Sequence, residues 1–174
     1  MAQTFKQLTD FFVTIGADQI KHSDKGYLAH AIGVHGDLKS WGCDEDVCRG
    51  GMFHSIYGTE FFQRFTLPVE RRSEVRQQIG PRAERLAYLN CAMDRASFDS
   101  AVQRATPPHR FRDRLTEQEI ELSEREFDDL CTIHLCDWLE QVGRSKLWDY
   151  RVDAYRRLAE RLGGVALDRY RLVF

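Results

Sequence analysis

Two histidines in apolar settings carry the clearest chemistry in this sequence. His30 sits in Tyr27-Leu28-Ala29-His30-Ala31-Ile32-Gly33-Val34, and His54 in Gly50-Gly51-Met52-Phe53-His54-Ser55-Ile56-Tyr57-Gly58-Thr59. A lone histidine on an apolar helix face is ordinarily a core residue bonded to a backbone carbonyl. Two of them, each inside an amphipathic helix in the first third of a chain, converge more often on a metal or ligand. Asp137, in Ile133-His134-Leu135-Cys136-Asp137-Trp138-Leu139, would complete a set of two imidazoles and one carboxylate. A carboxylate among such apolar neighbours is costly unless paired, hydrogen-bonded or ligated. Asp137 is therefore either a ligand or half of an ion pair with one of the many arginines. A 2-His-1-carboxylate set leaves coordination positions open, the arrangement of non-haem Fe(II) oxygenases. The same set suits zinc or manganese holding a water for hydrolysis.

Other polar residues fall around this trio. His134 lies three positions before Asp137 on the same helical face and is the substitute metal ligand. His22 precedes His30 by eight residues; were the helix to reach that far back, eight steps would leave the two about 80° apart. There His22 would line the same pocket as an acid, base or substrate contact, or else face solvent. His35 points elsewhere and reads as a surface residue. Tyr57 and Thr59 would put two hydroxyls near His54, with Gly58 suited to a left-handed helix cap. Arg112 and Arg114, flanking Asp113, offer guanidinium forks for an anionic substrate, or form a solvated loop. Cys48 and Cys91 read as small core residues.

The elements that must hold these groups are helical. Phe5, Leu8, Phe11, Phe12 and Ile15 recur at helical spacing and end at Gly16; Tyr27 to Trp41 follows the i, i+3, i+4, i+7 rhythm and stops at Gly42. Asp44 caps a third helix, in which Val47, Gly51 and His54 share a face. The Gly50-Gly51 pair costs that helix roughly 1–2 kcal/mol of propensity, which makes sense if another helix or a ligand approaches closely. Pro68 and Pro81 open segments near 68–79 and 81–94, and 96–102 forms a short further helix. Thr106 to Leu122, with Pro107-Pro108 and β-like pieces at 110–114 and 119–122, reads as a long loop or small hairpin, a common form for lids and binding loops. Ser123 with Glu126 has capping-box spacing and starts a long helix; a last helix spans about 146–162 and ends at Gly163-Gly164.

With 174 residues, no repeat and no linker, residues 1–174 read as one all-α domain. The 43% apolar and 30% charged content is that of a globular chain. A net charge of −2, with scattered arginines, gives no nucleic-acid footprint. No apolar run approaches the roughly 18 residues of a membrane span, and Met1 to Lys6 lacks a signal-peptide pattern. Five cysteines without a Cys-x-x-Cys pair fit reduced thiols and a cytoplasmic setting. The partner is then a small-molecule substrate rather than nucleic acid or membrane. Exposed aromatics at Phe61, Phe62 and Phe65 would suit a homodimer contact.

The arrangement resembles the HD-domain superfamily of helical proteins, which supply a histidine from one helix, a His-Asp pair from the next and a final aspartate from a late helix. His30 matches the first histidine, His54 the histidine of the pair and Asp137 the late aspartate, while Ser55 stands in place of the paired aspartate. The stretch from His22 to Thr59 is closer to a group of small HD-like proteins that carry a His-Ser start, a Leu-x-His-x-x-Gly helix and Phe-His-Ser-Ile-Tyr-Gly-Thr. The match weakens through Ile79-Gly80, Tyr88 to Arg95 and Arg112-Asp113-Arg114 to about residue 142. The resemblance implies an HD-like helical bundle. It also argues against a dinuclear centre like that of myo-inositol oxygenase, because serine cannot supply the bridging charge. What it leaves is one divalent metal (iron, manganese or zinc) at a degenerate site in an oxygenase or hydrolase. The alternative is no metal, with the old pocket binding a ligand or His22 or His54 acting as general base.

Overall fold

A computed structural model of the chain describes residues 3–22, 25–145 and 149–174, and most of these are helical. Helix α1 (Phe5–Thr14) opens on a capping box between Thr4 and Gln7. Two-residue strands β1 (Lys21–His22) and β2 (Lys25–Gly26) pair antiparallel before α2 (Tyr27–Ser40). Asp44 caps α3 (Glu45–Met52) by accepting the Val47 N–H. A 3-10 turn over Val69–Arg71 leads into α4 (Arg72–Ile79), and Pro81 opens α5 (Pro81–Ala92) as its first residue. After α6 (Arg95–Val102), strands β3 (His109–Arg112) and β4 (Glu119–Leu122) form an antiparallel hairpin. Ser123 then caps α7 (Glu124–Val142), followed by α8 (Val152–Leu162) and α9 (Gly164–Val173).

Helix α7 organises the interior because it is apolar on more than one side. Phe127, Leu130, Leu135 and Trp138 face a core shared with α5, α6, the β3–β4 hairpin, α8 and α9. Ile133 and Cys136 meet Val34 and Leu38 of α2 and Val47 of α3. A further core gathers Leu8, Phe12, Tyr27, Phe53, Val75 and Leu86's neighbour Ala87 around the other side of α5. The glycine pair of α3 serves helix packing rather than a ligand. A Cβ on Gly51 would lie 2.1 Å from Leu38 Cδ1, and one on Gly50 would press on the Ala83 carbonyl oxygen at 3.1 Å. The helix-propensity cost of two glycines is thus set against the close seating of α3 between α2 and α5.

Several local expectations change. Helix α2 begins at Tyr27, so His22 lies in β1 and not on the His30 helix; its side chain lies outside the described residues. The last expected helix starts later than 146, at Val152, with residues 146–148 outside the described part, and Gly163-Gly164 joins it to a further helix, α9, that the pattern did not reveal. His35 is buried, its ring against Phe5, and is no surface residue. Phe62 and Phe65 stack on Tyr27 rather than forming an exposed contact face, while Phe61 remains exposed. Among the described residues, no helix is long and apolar enough to cross a membrane.

Candidate metal centre

His30 is carried by the second turn of α2, facing α7, and Asp137 by the penultimate turn of α7. His54 lies two residues beyond α3, in the turn that follows it and not inside the helix. All three are buried, and their donor atoms meet. His30 Nε2 is 3.0 Å from Asp137 Oδ1 and 3.3 Å from His54 Nε2; His54 Nε2 is 3.3 Å from the same Asp137 oxygen. Metal–donor bonds of about 2.0–2.1 Å put neighbouring donors about 2.9 Å apart in an octahedron and about 3.3 Å apart in a tetrahedron. The observed triangle fits either, so these side chains could hold one divalent ion.

The hydrogen bonds behind the trio point its lone pairs inward. The Nδ1–H of His54 donates to the Gly51 carbonyl at 2.7 Å, leaving Nε2 as acceptor. The Nδ1–H of His30 donates to Glu140 Oε2 at 2.6 Å. A metal-binding histidine almost always donates its other N–H to a carboxylate or a backbone carbonyl, and here each mode occurs once. Gln141 Nε2 donates to Asp137 Oδ1 at 3.1 Å, and no arginine pairs with Asp137 among the described residues. The ion-pair reading of Asp137 therefore gives way to a histidine cluster.

Charge is concentrated here. Burial alone would push the His30 imidazolium down, but the bonds to Asp137 and Glu140 outweigh it and raise its pKa to about 9. Burial likewise disfavours the Asp137 carboxylate, yet the facing imidazoles of His54 and His30 hold it well below the usual range. Glu140, also penalised by burial, is held down to about 2 by His30, Lys25 and Arg144. In this state a proton on His30 supplies the positive charge that two buried carboxylates require.

Beside the trio opens a cavity of about 740 Å³, walled in part by His54, Ser55, Asp137, Trp138, Arg95 and Tyr150. Its size falls within the ~300–1,000 Å³ common for small-molecule sites. His30 sits behind this wall. Ser55 faces the cavity with its Oγ–H donating to Tyr27 Oη at 3.2 Å, a hydroxyl pair where a carboxylate would bring charge.

The remaining expected site residues divide. Thr59 lines the cavity, although its Oγ1 already accepts the Phe62 N–H. Tyr57 turns away and donates to Glu84, where Arg72 and Arg76 also converge; a buried carboxylate drew its hydroxyl off the pocket. His134 is not part of the trio: Arg151 donates to its Nε2 at 3.1 Å, and its Nδ1–H donates to Asn90 Oδ1. With both ring nitrogens engaged, and with burial and the Arg151 charge lowering its pKa far below that of free imidazole, His134 is a neutral structural residue. Arg112 is exposed on the hairpin and pairs with Glu117, and Arg114 clamps the Cys91 and Gly58 carbonyls. The hairpin is therefore no lid on this cavity: the Asp113 carboxylate, bonded by Tyr88 and two backbone N–H groups, ties it to α5.

Three residues escaped the sequence reading. Glu140 was detectable as a carboxylate one turn beyond Asp137. Asn90, which donates to the His54 carbonyl and accepts from His134, and Arg95, in the cavity wall, follow no local pattern.

A family model described as a domain of unknown function (DUF6817) matches residues 11–95, a span that holds His30, His54 and Arg95 but not Asp137. No curated protein and no solved structure matches the chain.

Proposed function

We propose that this protein is a small-molecule enzyme of HD-like design that uses one divalent metal held by His30, His54 and Asp137. The observation that carries the reading is the convergence of three buried donors, each oriented by its own hydrogen bond, beside a cavity of ligand size. Bound there, the metal would supply a Lewis acid with open positions for substrate and for water or dioxygen. Glu140 and the Gly51 carbonyl fix the two imidazoles in the tautomer that presents Nε2. Ser55 adds no charge, so a second ion has no partner equivalent to the missing carboxylate.

Of the two chemistries, oxygenation fits the cavity better than hydrolysis. Beyond the trio, the described lining has no carboxylate or imidazole to take a proton from water. Its hydroxyls are poor bases; burial, for example, drives the Tyr155 pKa far up. Phe61, Phe62, Trp138, Tyr150 and Tyr155 give instead a largely aromatic wall.

One observation favours a metal-free reading: protonated His30, shared between Glu140 and Asp137, already balances the cluster, leaving His54 Nε2 as an acid/base group. Metal content of untagged protein purified without chelators separates the readings. Near-stoichiometric iron supports the oxygenase; zinc or manganese supports a hydrolase. No binding of any of the three after reconstitution removes the metal reading.

A further inference from the structure

The guanidinium of Arg95 is held differently from most well-anchored arginines among the described residues. Elsewhere the edge formed by Nε and Nη2 closes on a carboxylate: Arg71 on Glu74, Arg72 on Glu84, Arg85 on Glu126, Arg151 on Asp99 and Arg161 on Asp128. Arg114 closes the same edge on two backbone carbonyls. Arg95 is 9% exposed and lines the cavity beside the metal trio, and its Nη1 donates to Tyr150 Oη at 2.6 Å. Its Nε is buried with no partner, and no bond engages Nη2 among the described residues. A buried, unanswered donor is expensive in a finished structure and signals a missing acceptor.

The same wall holds a second such donor, the indole Nε1 of Trp138, buried and unpartnered. Trp138 directly follows Asp137, so this donor and the carboxylate of the trio share one turn of α7. Around Arg95 lie flat apolar faces, since the Phe61 and Tyr150 rings stand 5.1 Å apart and each flanks the guanidinium.

We infer that the cavity takes a small ligand bearing a carboxylate, gripped two-pronged by the Nε–Nη2 edge of Arg95, with its apolar part against the aromatic wall and its other end toward His54 and Asp137. A planar carboxylate matches that fork in geometry and charge, and Arg71, Arg72, Arg85 and Arg151 each make the same two-oxygen pairing with a carboxylate of this chain. The inference names the substrate class for the enzyme proposed above and rests on that reading for the reaction, but not for the binding.

Phenylacetate is the probe, titrated by calorimetry into the full-length protein, metal-free and zinc-loaded, beside neutral phenylacetamide and phenylphosphonate. Phenylacetate should bind both forms, and phenylacetamide should bind at least roughly tenfold more weakly. Arg95→Met should lose a similar factor with zinc content and melting temperature unchanged. Arg95→Lys, which keeps the charge but loses the fork, should fall nearly as far and stands in if Arg95→Met does not fold. No binding by the wild type, binding that both variants retain, or a preference for phenylphosphonate would overturn the inference. If zinc does not bind but Arg95-dependent phenylacetate binding persists, the carboxylate site stands while the metal reading falls. If zinc binds and phenylacetate is held only through zinc, with Arg95 irrelevant, the reverse holds.

Discussion

His30 and Glu140, on α2 and α7, share a 2.6 Å hydrogen bond from Nδ1 to Oε2 that fixes which imidazole nitrogen faces Asp137 and His54. Lys25 and Arg144 hold the other Glu140 oxygen at 2.7 and 2.6 Å. Glu140→Gln keeps an acceptor for His30 but removes the charge that makes its far nitrogen a better donor. Zinc affinity should fall about 10–100-fold, the usual cost of losing such a support. Calorimetry on folded protein checks this; unchanged affinity would make Glu140 an ordinary ion-pair residue.

Gly33 gives a test that alters no polar atom. A Cβ there would lie 2.4 Å from Glu140 Oε1 and 2.9 Å from its Cδ, so Gly33→Ala must push the carboxylate aside. Alanine gains up to about 1 kcal/mol of helix propensity, so the fold should survive while zinc binding weakens. Gly33→Ala should add little further loss in a Glu140→Gln background, because both changes act through one bond. Additive losses would mean that Gly33 acts elsewhere.

Asp137→Asn separates ligation from folding. The amide keeps the shape and can still accept from His30, but the metal-free protein loses the charge that faces protonated His30, so its melting temperature should fall at neutral pH. Zinc affinity should drop by about an order of magnitude or more, because the anionic donor is gone. Melting curves and zinc titrations on one preparation decide the matter. Unchanged zinc affinity in the folded variant would sink the ligand role.

Glu84 predicts a pH effect away from the centre. Burial would raise its carboxyl, but Arg72, Arg76 and Tyr57 outweigh burial and hold its pKa below normal. A depressed carboxyl stabilises the fold above its unfolded value near 4.3 and loses that contribution as pH falls through the lower folded value. Glu84→Gln should therefore cost about 1–3 kcal/mol at neutral pH. In denaturant melts the gap to wild type should close below about pH 4. A gap constant with pH would assign the loss to packing.

Local pattern was enough for the helices whose ends carry their own chemistry. Asp44 and Ser123 cap α3 and α7 through their own side chains, and Pro81 opens α5 at a position where its missing N–H costs nothing. The pairing of His30 and His54 was legible because both sit in apolar surroundings where an imidazole needs a reason to be. Other features had no local signature. The short β1–β2 pair removed His22 from the α2 helix, and α9 followed two glycines that also read as an ending.

The rest is a matter of partners distant in sequence. Whether a buried histidine could serve as a metal ligand depends on which groups its two nitrogens meet. The Nδ1 atoms of His30 and His54 meet Glu140 and the Gly51 carbonyl, so that their Nε2 atoms face each other and Asp137, whereas His134 is held between Asn90 and Arg151 outside that group. Tyr57 and Arg95 show the same rule for donors: Glu84 claims the first, and among the described residues no carboxylate meets the guanidinium of the second. Hydrophobic periodicity sets which face of an element turns inward. Only the packed tertiary structure sets which polar groups meet there, because hydrogen bonds act over about 3 Å and take no account of sequence separation.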